Sequence, residues 1–407
     1  MIESSRQAPH ALILSLSNWF GAARLPRALQ RAGFRVTTLS FPGLLIQRAG
    51  FINEALLLDD ALPTEALIES VLQALDRASP DIVIPTDDAS VVVLQAAAAV
   101  ARQGSGSDRL SSLLDDSLGD SRHHATVRSR KPLAALAAKL GLNAPRHAVV
   151  HDERQAVDFA ATHGYPVVLK TEESFAGLGV SICKDEAELK AALLRLAGAP
   201  GAPLAQGVLA QAFVAGRTAM RVVVAWRGQV LGGLSAIKLE TWPGSTGPSC
   251  VVELIEHPQM QATAQRLIEA LGFSGFASLD FILGGQGGAE LIELNPRPTP
   301  ISHLGERFGS CLFRPLHGAL TGTPSPAPAP LGLPSKVALF PQEWVRNADS
   351  PHFVDGFHDV PWDQPDLVDA YVTLARGQMR FSWFRSVHAR QEEARALLGR
   401  LERSGHA

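Results

Sequence analysis

The chain has 407 residues, of which 46% are hydrophobic and 19% charged, proportions that are ordinary for a globular protein. Its formal net charge of −3 argues against nucleic acid or an anionic membrane as a partner. The three cysteines are widely scattered, the N-terminus lacks the pattern of a secretion signal, and no apolar run has the length of a membrane span. Together these features predict a cytoplasmic protein.

The first hundred residues alternate between strand and helix patterns. The predicted strands are Ala11–Leu16, Val36–Leu39 and Asp81–Pro85, and the predicted helices are Ala22–Ala32, Thr64–Arg77 and Ala89–Ala101. This alternation predicts an α/β fold with a doubly wound parallel sheet, which would bind its ligand beyond the carboxyl ends of the strands. Asp87 and Asp88 follow one such end, where they either cap the next helix or meet a substrate amine.

The rest of the chain has a mixed, α+β pattern. The segment Gln103–Asp120 is rich in Ser, Gly and Asp and is predicted to be an exposed connection. Two strands, Ser278–Leu283 and Ala289–Asn295, are predicted to form a hairpin around a glycine-rich loop. Beyond a Pro/Ala-rich linker at Thr323–Pro334, a small C-terminal extension is expected. Its predicted strands lie near Lys336–Phe340 and Ala370–Leu374.

The hairpin carries the strongest chemical pattern in the sequence. Glu293 and Asn295 are two residues apart on one strand, so their side chains share a face of the sheet. Asp280 joins that face if a loop with an even number of residues closes the hairpin. Carboxylate and amide oxygens are the ligands that Mg²⁺ prefers, usually completed by substrate phosphates and water. A metal site is therefore predicted here, in preference to a surface hairpin with a few acids, because polar groups that interrupt apolar strands are costly unless compensated.

A second pattern is a lysine at the end of an apolar strand, followed by glycines. Lys170 could reach the phosphates of a nucleotide as a point charge. Gly177 and Gly179 would allow backbone N–H groups to approach phosphate oxygens closely. This pattern is weak evidence by itself, because glycine-rich turns are common.

The two patterns, in this order and joined by the hinge-like segment Leu209–Gly216, resemble the ATP-grasp superfamily over roughly residues 1–320. The Asp280…Glu293-Leu-Asn295-Pro-Arg297 motif is the most specific part of that resemblance. It implies an N-terminal α/β pre-ATP-grasp domain over 1–115 and an ATP-grasp domain over 116–325, with a mobile lid at about 165–212. Residues 326–407 would form the C-terminal extension.

The resemblance also implies a role for each matching residue. Lys131 and Lys170 would contact the ATP phosphates, and Ser174, Gly177 and Gly179 would belong to the part of the lid that folds over them. The main chain of Gln211 and Phe213 would hold adenine. Asp280, Glu293 and Asn295 would bind two Mg²⁺ ions, for which Mn²⁺ can substitute, and Arg297 would face the reacting carboxylate. Lys238 is assigned a catalytic role beside Arg297. Lys238 and Arg221 lie on or near strands that lead toward this site, where either could neutralise phosphate charge or be a surface residue whose stem is packed.

Two positions depart from the family pattern. Gln211 and Thr218 stand where family members usually carry acidic residues, the second of which holds the ribose hydroxyls.

The implied activity is an ATP-dependent, ADP-forming ligase that activates a carboxylate as an acyl phosphate and joins it to an amine. Its partners would be small molecules, and a homodimer is compatible with this activity. The alternatives are a carboxylase-type enzyme that activates bicarbonate and a non-catalytic nucleotide-binding regulator.

Overall fold

The structure is a computed structural model, which describes residues 8–103, 108–172, 179–197, 204, 207–285, 287–325, 329, 335–378, 393, 395–396 and 398–400. Three sheets organise this part of the chain: an N-terminal sheet of four strands, a small sheet of four strands and a large sheet of seven. Within the described residues, no helix is both long enough and apolar enough to cross a membrane.

The N-terminal sheet is parallel and flanked by helices. Its elements are β1 (His10–Ser15), α1 (Leu25–Arg31), β2 (Arg35–Ser40), β3 (Glu54–Leu57), α2 (Thr64–Ala78), β4 (Ile82–Pro85), α3 (Asp88–Gln103) and α4 (Asp108–Leu118). The strand order is β3-β2-β1-β4, and every neighbouring pair is parallel. Each residue of β1 and β4 is buried, as in parallel sheets with both faces covered. The predicted doubly wound sheet is therefore confirmed.

One prediction for this region is wrong. Residues 103–120 were expected to form an exposed connection, but most of them belong to α4. Leu110, Leu113, Leu114 and Leu118 of this helix are buried, and their spacing places them on one face. The Ser and Asp residues between these leucines resemble a loop in composition, although Ser111, Ser112, Asp115 and Asp116 only form the more exposed side of an amphipathic helix.

The small sheet follows two helices, α5 (His124–Arg128) and α6 (Arg130–Lys139). Its elements are β5 (His147–Val150), α7 (Glu153–His163), β6 (Val167–Lys170), β7 (Val180–Cys183), α8 (Glu186–Ala197) and β8 (Val208–Ala212). The strand order is β5-β8-β6-β7, and all pairs are antiparallel. This sheet has its own core around Val150, Phe159 and Leu169.

The large sheet contains the predicted hairpin and extends into the C-terminal part of the chain. Its strands are β9 (Gly216–Trp226), β10 (Gln229–Thr241), β11 (Ser249–Ile255), β12 (Gly275–Gly284), β13 (Ala289–Asn295), β14 (Ser335–Leu339) and β15 (Phe357–Asp359), in the order β13-β12-β9-β10-β11-β14-β15. The remaining helices are α9 (Pro258–Leu271), α10 (Phe313–Thr321), α11 (Gln342–Arg346), α12 (His352–Asp355) and α13 (Pro365–Gln378). Short 3₁₀ turns span Ala22–Arg24, Leu45–Arg48, Ser121–His123 and Leu304–Glu306.

The C-terminal part of the chain packs against the N-terminal part. The strand predicted at Ala370–Leu374 is wrong, because these residues lie within α13. Leu367 and Tyr371, four residues apart, are fully buried on one face of that helix, a helical spacing that a short apolar run conceals. These two residues form a cluster with Ala23, Leu45 and Phe340, so this helix is anchored to the connection after β1.

Candidate active site

The three sheets surround a cleft with a volume of about 450 Å³. Eight of the residues that were assigned a role in binding or catalysis line it: Lys170, Gln211, Phe213, Lys238, Asp280, Glu293, Asn295 and Arg297. Ser174 and Gly177 lie outside the described residues, and Lys131 and Gly179 are not part of the lining. Six basic and four acidic side chains line the cleft, so its wall is positive although the chain as a whole is negative.

The acidic pair at the centre of the cleft lies on the β12–β13 hairpin. Asp280 is directly opposite Glu293, and Ser278 is opposite Asn295. The connection between Leu283 and Ala289 has an odd number of residues, contrary to the predicted even count. A register shift that leaves Ile292 as an extra residue compensates for the odd loop, as expected of a β-bulge. The shared face was therefore predicted correctly, but it arises from a bulge rather than from the loop length.

Both carboxylates have a basic partner. Lys238 Nζ is 2.9 Å from Asp280 Oδ2, and Arg130 Nη2 is 2.6 Å from Glu293 Oε1. In the described part of the chain, no group of three or more His, Cys, Asp or Glu side chains could hold a metal ion. A magnesium ion here would consequently need the amide oxygen of Asn295 and substrate oxygens beside the two carboxylates. That donor set fits Mg²⁺, which usually takes one or two carboxylates and completes its shell with phosphates and water.

Lys170 ends β6 and is almost fully buried at the side of the cleft. Its Nζ lies 3.5 Å from the carbonyl oxygen of Ile292, the bulge residue. Burial lowers the pKa of Lys170 to about 8; Glu293 opposes this shift and Arg130 adds to it. The ammonium group is thus charged at neutral pH, although its pKa is only slightly higher. Its position next to Asp280 and Glu293 suits contact with a phosphate.

The hinge contains Gln211 and Phe213, whose main chain is predicted to hold adenine. Gln211 lies in the interior of the small sheet, opposite His147 on one side and Val168 on the other. The Phe213 N–H donates to the Pro166 carbonyl at 3.2 Å. The Phe213 N–H is therefore already bonded within the protein, and the contact of adenine with the main chain at Gln211 and Phe213 stays a prediction. Among the described residues, the N–H of Val214 has no hydrogen-bond partner, and this residue lines the cleft.

In the first turn of α6, Arg130 rather than Lys131 points toward the acidic pair, Asp280 and Glu293. The backbone N–H groups of Arg130 and Lys131 donate to the carboxylate of Glu172 at 3.0 and 2.9 Å. This contact ties the start of α6 to the residue after β6. The Arg-Lys pair in the sequence marks this position, but a helix boundary uncertain by one residue decides which of the two faces the cleft.

The opposite end of the cleft lies at the N-terminal sheet. Arg297 donates to both carboxylate oxygens of Asp88, at 2.7 and 3.1 Å, and its guanidinium carbon is 5.4 Å from the ring centre of Trp19. Burial alone would raise the pKa of Asp88, but Arg297 reverses that effect and the pKa is lowered. Asp88 therefore stays ionised and holds Arg297 in place.

The neighbouring Asp87 has a purely structural role. Its carboxylate accepts the N–H of Ser90 in the first turn of α3 and the N–H of Leu16 after β1, both at 2.9 Å. Of the two interpretations left open by the sequence, capping applies to Asp87, whereas Asp88 faces the cleft.

Two other candidates lie away from the cleft. Arg221 is buried in the large sheet, where it donates to Ser235 at 2.9 Å. His303 is buried with Asp359, its Nε2 2.9 Å from a carboxylate oxygen. Neither side chain lines the cleft, so Arg221 does not neutralise a phosphate there, and the contact with Asp359 gives His303 a structural role.

Comparisons with known proteins agree with this geometry. Residues 128–241 match the family model of the RimK-like ATP-grasp domain. The chain is 28% identical over 190 residues to the carbamoyl phosphate synthase large chain, N-terminal section, of Methanopyrus kandleri, covering 44% of this chain and 33% of the relative. It is 25% identical over 174 residues to the D-alanine–D-alanine ligase of Pseudomonas entomophila, covering 40% and 52%. The chain thus spans a third to a half of the length of these two relatives.

Solved structures show the same fold. The N5-carboxyaminoimidazole synthase of Aspergillus clavatus, in complex with ADP and 5-aminoimidazole ribonucleotide, superposes with a TM-score of 0.60 at 14% identity, covering 81% of each chain. The biotin carboxylase of Campylobacter jejuni superposes with a TM-score of 0.59 at 14% identity, covering 81% of this chain and 74% of the other. These structures show a shared fold, and together with the matched family model over residues 128–241 they show that the chain has the ATP-grasp fold.

Proposed function

We propose that this chain, an ATP-grasp protein by fold, is an ADP-forming ligase that activates a carboxylate with ATP and joins it to an amine. The observation that carries the proposal is the Asp280–Glu293 pair, which faces Lys170 on one side of the cleft and Arg297 on the other. A nucleotide, a divalent cation and an acid could meet at this point. The substrates would be small molecules, and we expect the enzyme to work in the cytoplasm.

Each side chain has a specific task in this reaction. Lys170 and Arg130 would neutralise phosphate charge, and the main-chain N–H of Val214 would donate to the adenine ring. Asp280, Glu293 and Asn295 would hold Mg²⁺, which supplies charge neutralisation to the transferring phosphoryl group when bound. Lys238 orients Asp280 through their ion pair.

The acid would be bound at the other end of the cleft. Arg297, fixed by Asp88, would present the carboxylate to the γ-phosphate in line with the departing ADP. One carboxylate oxygen attacks the phosphorus, the bond to ADP breaks, and an acyl phosphate forms. The amine then attacks the carbonyl carbon, loses a proton and expels inorganic phosphate, so that an amide is formed.

The proposal is tested by measuring ADP release from Mg-ATP across a panel of carboxylic acids, with hydroxylamine as a general nucleophile. Hydroxamate that forms with one class of acids, in proportion to ADP, would support the acyl phosphate. ADP released only with bicarbonate would instead favour carboxylase-type chemistry. Binding of Mg-ATP without ADP release across the panel would contradict the ligase proposal and favour a nucleotide-binding regulator.

A further inference from the structure

The side chain of Gln211 is a buried polar group in the wall of the cleft, with 4% of the residue exposed. Its neighbour on β8, Ala210, belongs to the core of the small sheet. Successive side chains of a strand point to opposite faces, so the Gln211 amide points away from that core and toward the cleft. Within the described residues, this amide makes no hydrogen bond. Because buried amides normally have a partner, we expect a ligand in the cleft to supply one.

The amide is bordered by apolar side chains. Across the small sheet, Val168 is directly opposite Gln211, and Ile182 is directly opposite Val168. Both apolar residues line the cleft, as does Ile282 of the large sheet, two residues from Asp280 on the same face of β12. Apolar walls with a single well-placed polar group suit a flat aromatic ring that carries polar atoms on its edge.

This row of side chains lies next to the group that is expected to bind phosphate. Val168 and Lys170 are two residues apart on β6, so their side chains share a face and their Cα atoms are about 7 Å apart. Two residues in the other direction, the wall is acidic at Glu172. A nucleotide whose phosphates lie at Lys170 would therefore place its base on the apolar side, beside Gln211.

The chemistry of the amide matches one edge of adenine. A glutamine amide offers both an N–H₂ donor and a carbonyl acceptor. Adenine presents its N6 amino donor beside the N7 acceptor, and glutamine can bind both atoms at once, whereas guanine presents two acceptors, O6 and N7, on the same edge. With guanine, the carbonyl oxygen of the amide would face an acceptor. A carboxylate, the group expected here from the family pattern, only accepts and would leave N7 without a donor.

We infer that the side-chain amide of Gln211 binds N6 and N7 of adenine and thereby selects adenine over guanine nucleotides. The inference rests on the proposed function in that it assumes a nucleotide in the cleft. It adds a side-chain contact to the main-chain contact that is proposed at Val214. The exchange of an acidic residue for Gln211 is then a gain of one hydrogen bond to the base.

The test is calorimetric titration of the full chain with ADP, 7-deaza-ADP and GDP, at a fixed level of Mg²⁺ and without a carboxylic acid. In 7-deaza-ADP a C–H group replaces N7 and the amino group is kept. The wild type should bind ADP about three- to tenfold more tightly than 7-deaza-ADP, the value of one hydrogen bond, and about ten- to a hundredfold more tightly than GDP. Gln211→Met should weaken ADP binding and abolish the difference between ADP and 7-deaza-ADP. Gln211→Glu, which keeps only the acceptor, should abolish the same difference.

Gln229→Met is the matched control, because it makes the same change at an exposed residue of β10 that does not line the cleft. Its affinities should equal those of the wild type. Equal binding of ADP and 7-deaza-ADP by the wild type, a measurement that needs no variant, would overturn the inference. A preference for ADP that survives in Gln211→Met would also overturn it.

The inference and the proposed function fail separately. Hydroxamate formation from ATP by a wild type that does not distinguish ADP from 7-deaza-ADP would refute the role of Gln211 and leave the ligase chemistry intact. Selective binding of ADP, lost in Gln211→Met, without hydroxamate formation would refute the ligase chemistry and leave the role of Gln211 intact.

Discussion

The two ends of the cleft are assembled in different ways. At the nucleotide end, Asp280, Glu293 and Asn295 lie on two adjacent strands, and the ladder between β12 and β13 sets their spacing. At the acid end, the wall combines Trp19, Asp88, Arg297 and Arg395, which come from four separate parts of the chain. The first arrangement depends on one hairpin. The second depends on ion pairs and packing that hold distant segments together, so it can change without disturbing the metal pair.

The comparison also explains how substrate choice could vary while the phosphoryl chemistry stays constant. Arg24, Asp359 and His303 form a buried network that joins the connection after β1, the end of β15 and the segment after Arg297. His303 follows Thr299, Pro300 and Ile301, which line the cleft after Arg297. Specificity would therefore reside where distant parts of the chain meet, as expected when function depends on a site rather than on the fold.

The largest effect is expected at the nucleotide end. Glu293→Gln or Asp280→Asn should reduce kcat/KM by about a thousandfold or more, because loss of a metal-binding carboxylate removes several kcal/mol of transition-state stabilisation. Glu290→Gln is the matched control, since Glu290 lies on the same strand but does not line the cleft. Steady-state kinetics and circular dichroism together test this prediction. Normal turnover of either variant with an intact fold would contradict the metal assignment.

At the acid end, the corresponding change should affect stability first. Asp359→Asn leaves the charge of Arg24 buried without its carboxylate partner, and breaking a buried pair in this way costs about 3–5 kcal/mol. Urea unfolding should show this loss in the free energy of unfolding. Asp363→Asn removes a partner of Arg27 at the surface and should cost less than about 1 kcal/mol. Equal costs for the two variants would mean that the buried network does not hold the acid end together.

The pH dependence distinguishes Lys170 from the other basic residues of the cleft. Burial lowers its pKa to about 8, so the group is charged below that pH and loses its charge above it. Since only the charged form attracts phosphate, kcat/KM for ATP should fall by about tenfold per pH unit above pH 8. Lys170→Arg should remove this descending limb, because arginine stays protonated. An unchanged limb in the variant would assign the ionisation to another group.

The two ends also differ in how far the sequence could predict them. The parallel sheet and the shared face of Asp280, Glu293 and Asn295 were predictable, because strand periodicity and the hairpin are local patterns. Arg130, Asp88 and Arg395 could not be assigned in this way. The role of Arg130 depends on the exact first residue of α6, Asp88 was one of two adjacent acids with equal claims, and Arg395 lies almost a hundred residues from the nearest motif residue. The position of each of these three residues depends on long-range packing, which no local spacing in the sequence encodes.

The same reasoning explains the errors in the fold. The helices α4 and α13 were not predicted, although their buried apolar residues have helical spacing. The segment of α4 was interpreted from its composition, and that of α13 from its strand propensity. Burial of Leu114 and Tyr371 in separate cores decides each case, in line with the general rule that tertiary packing overrides weak local preference. Val214 was missed for a different reason, since a backbone N–H without a partner leaves no trace in the side-chain sequence.

The smallest expected effect concerns Thr218, which lies on β9 in the wall of the nucleotide end. If the ribose of ATP lies beside this residue, Thr218→Glu supplies an acceptor for its hydroxyls. The KM for ATP should then fall by about three- to tenfold with little change in kcat, the lower range of a charge-assisted hydrogen bond. The gain should disappear with 2′-deoxy-ATP, which lacks one of the two hydroxyls. An equal gain with both nucleotides would assign the effect to the added charge, and no gain would mean that the ribose lies elsewhere.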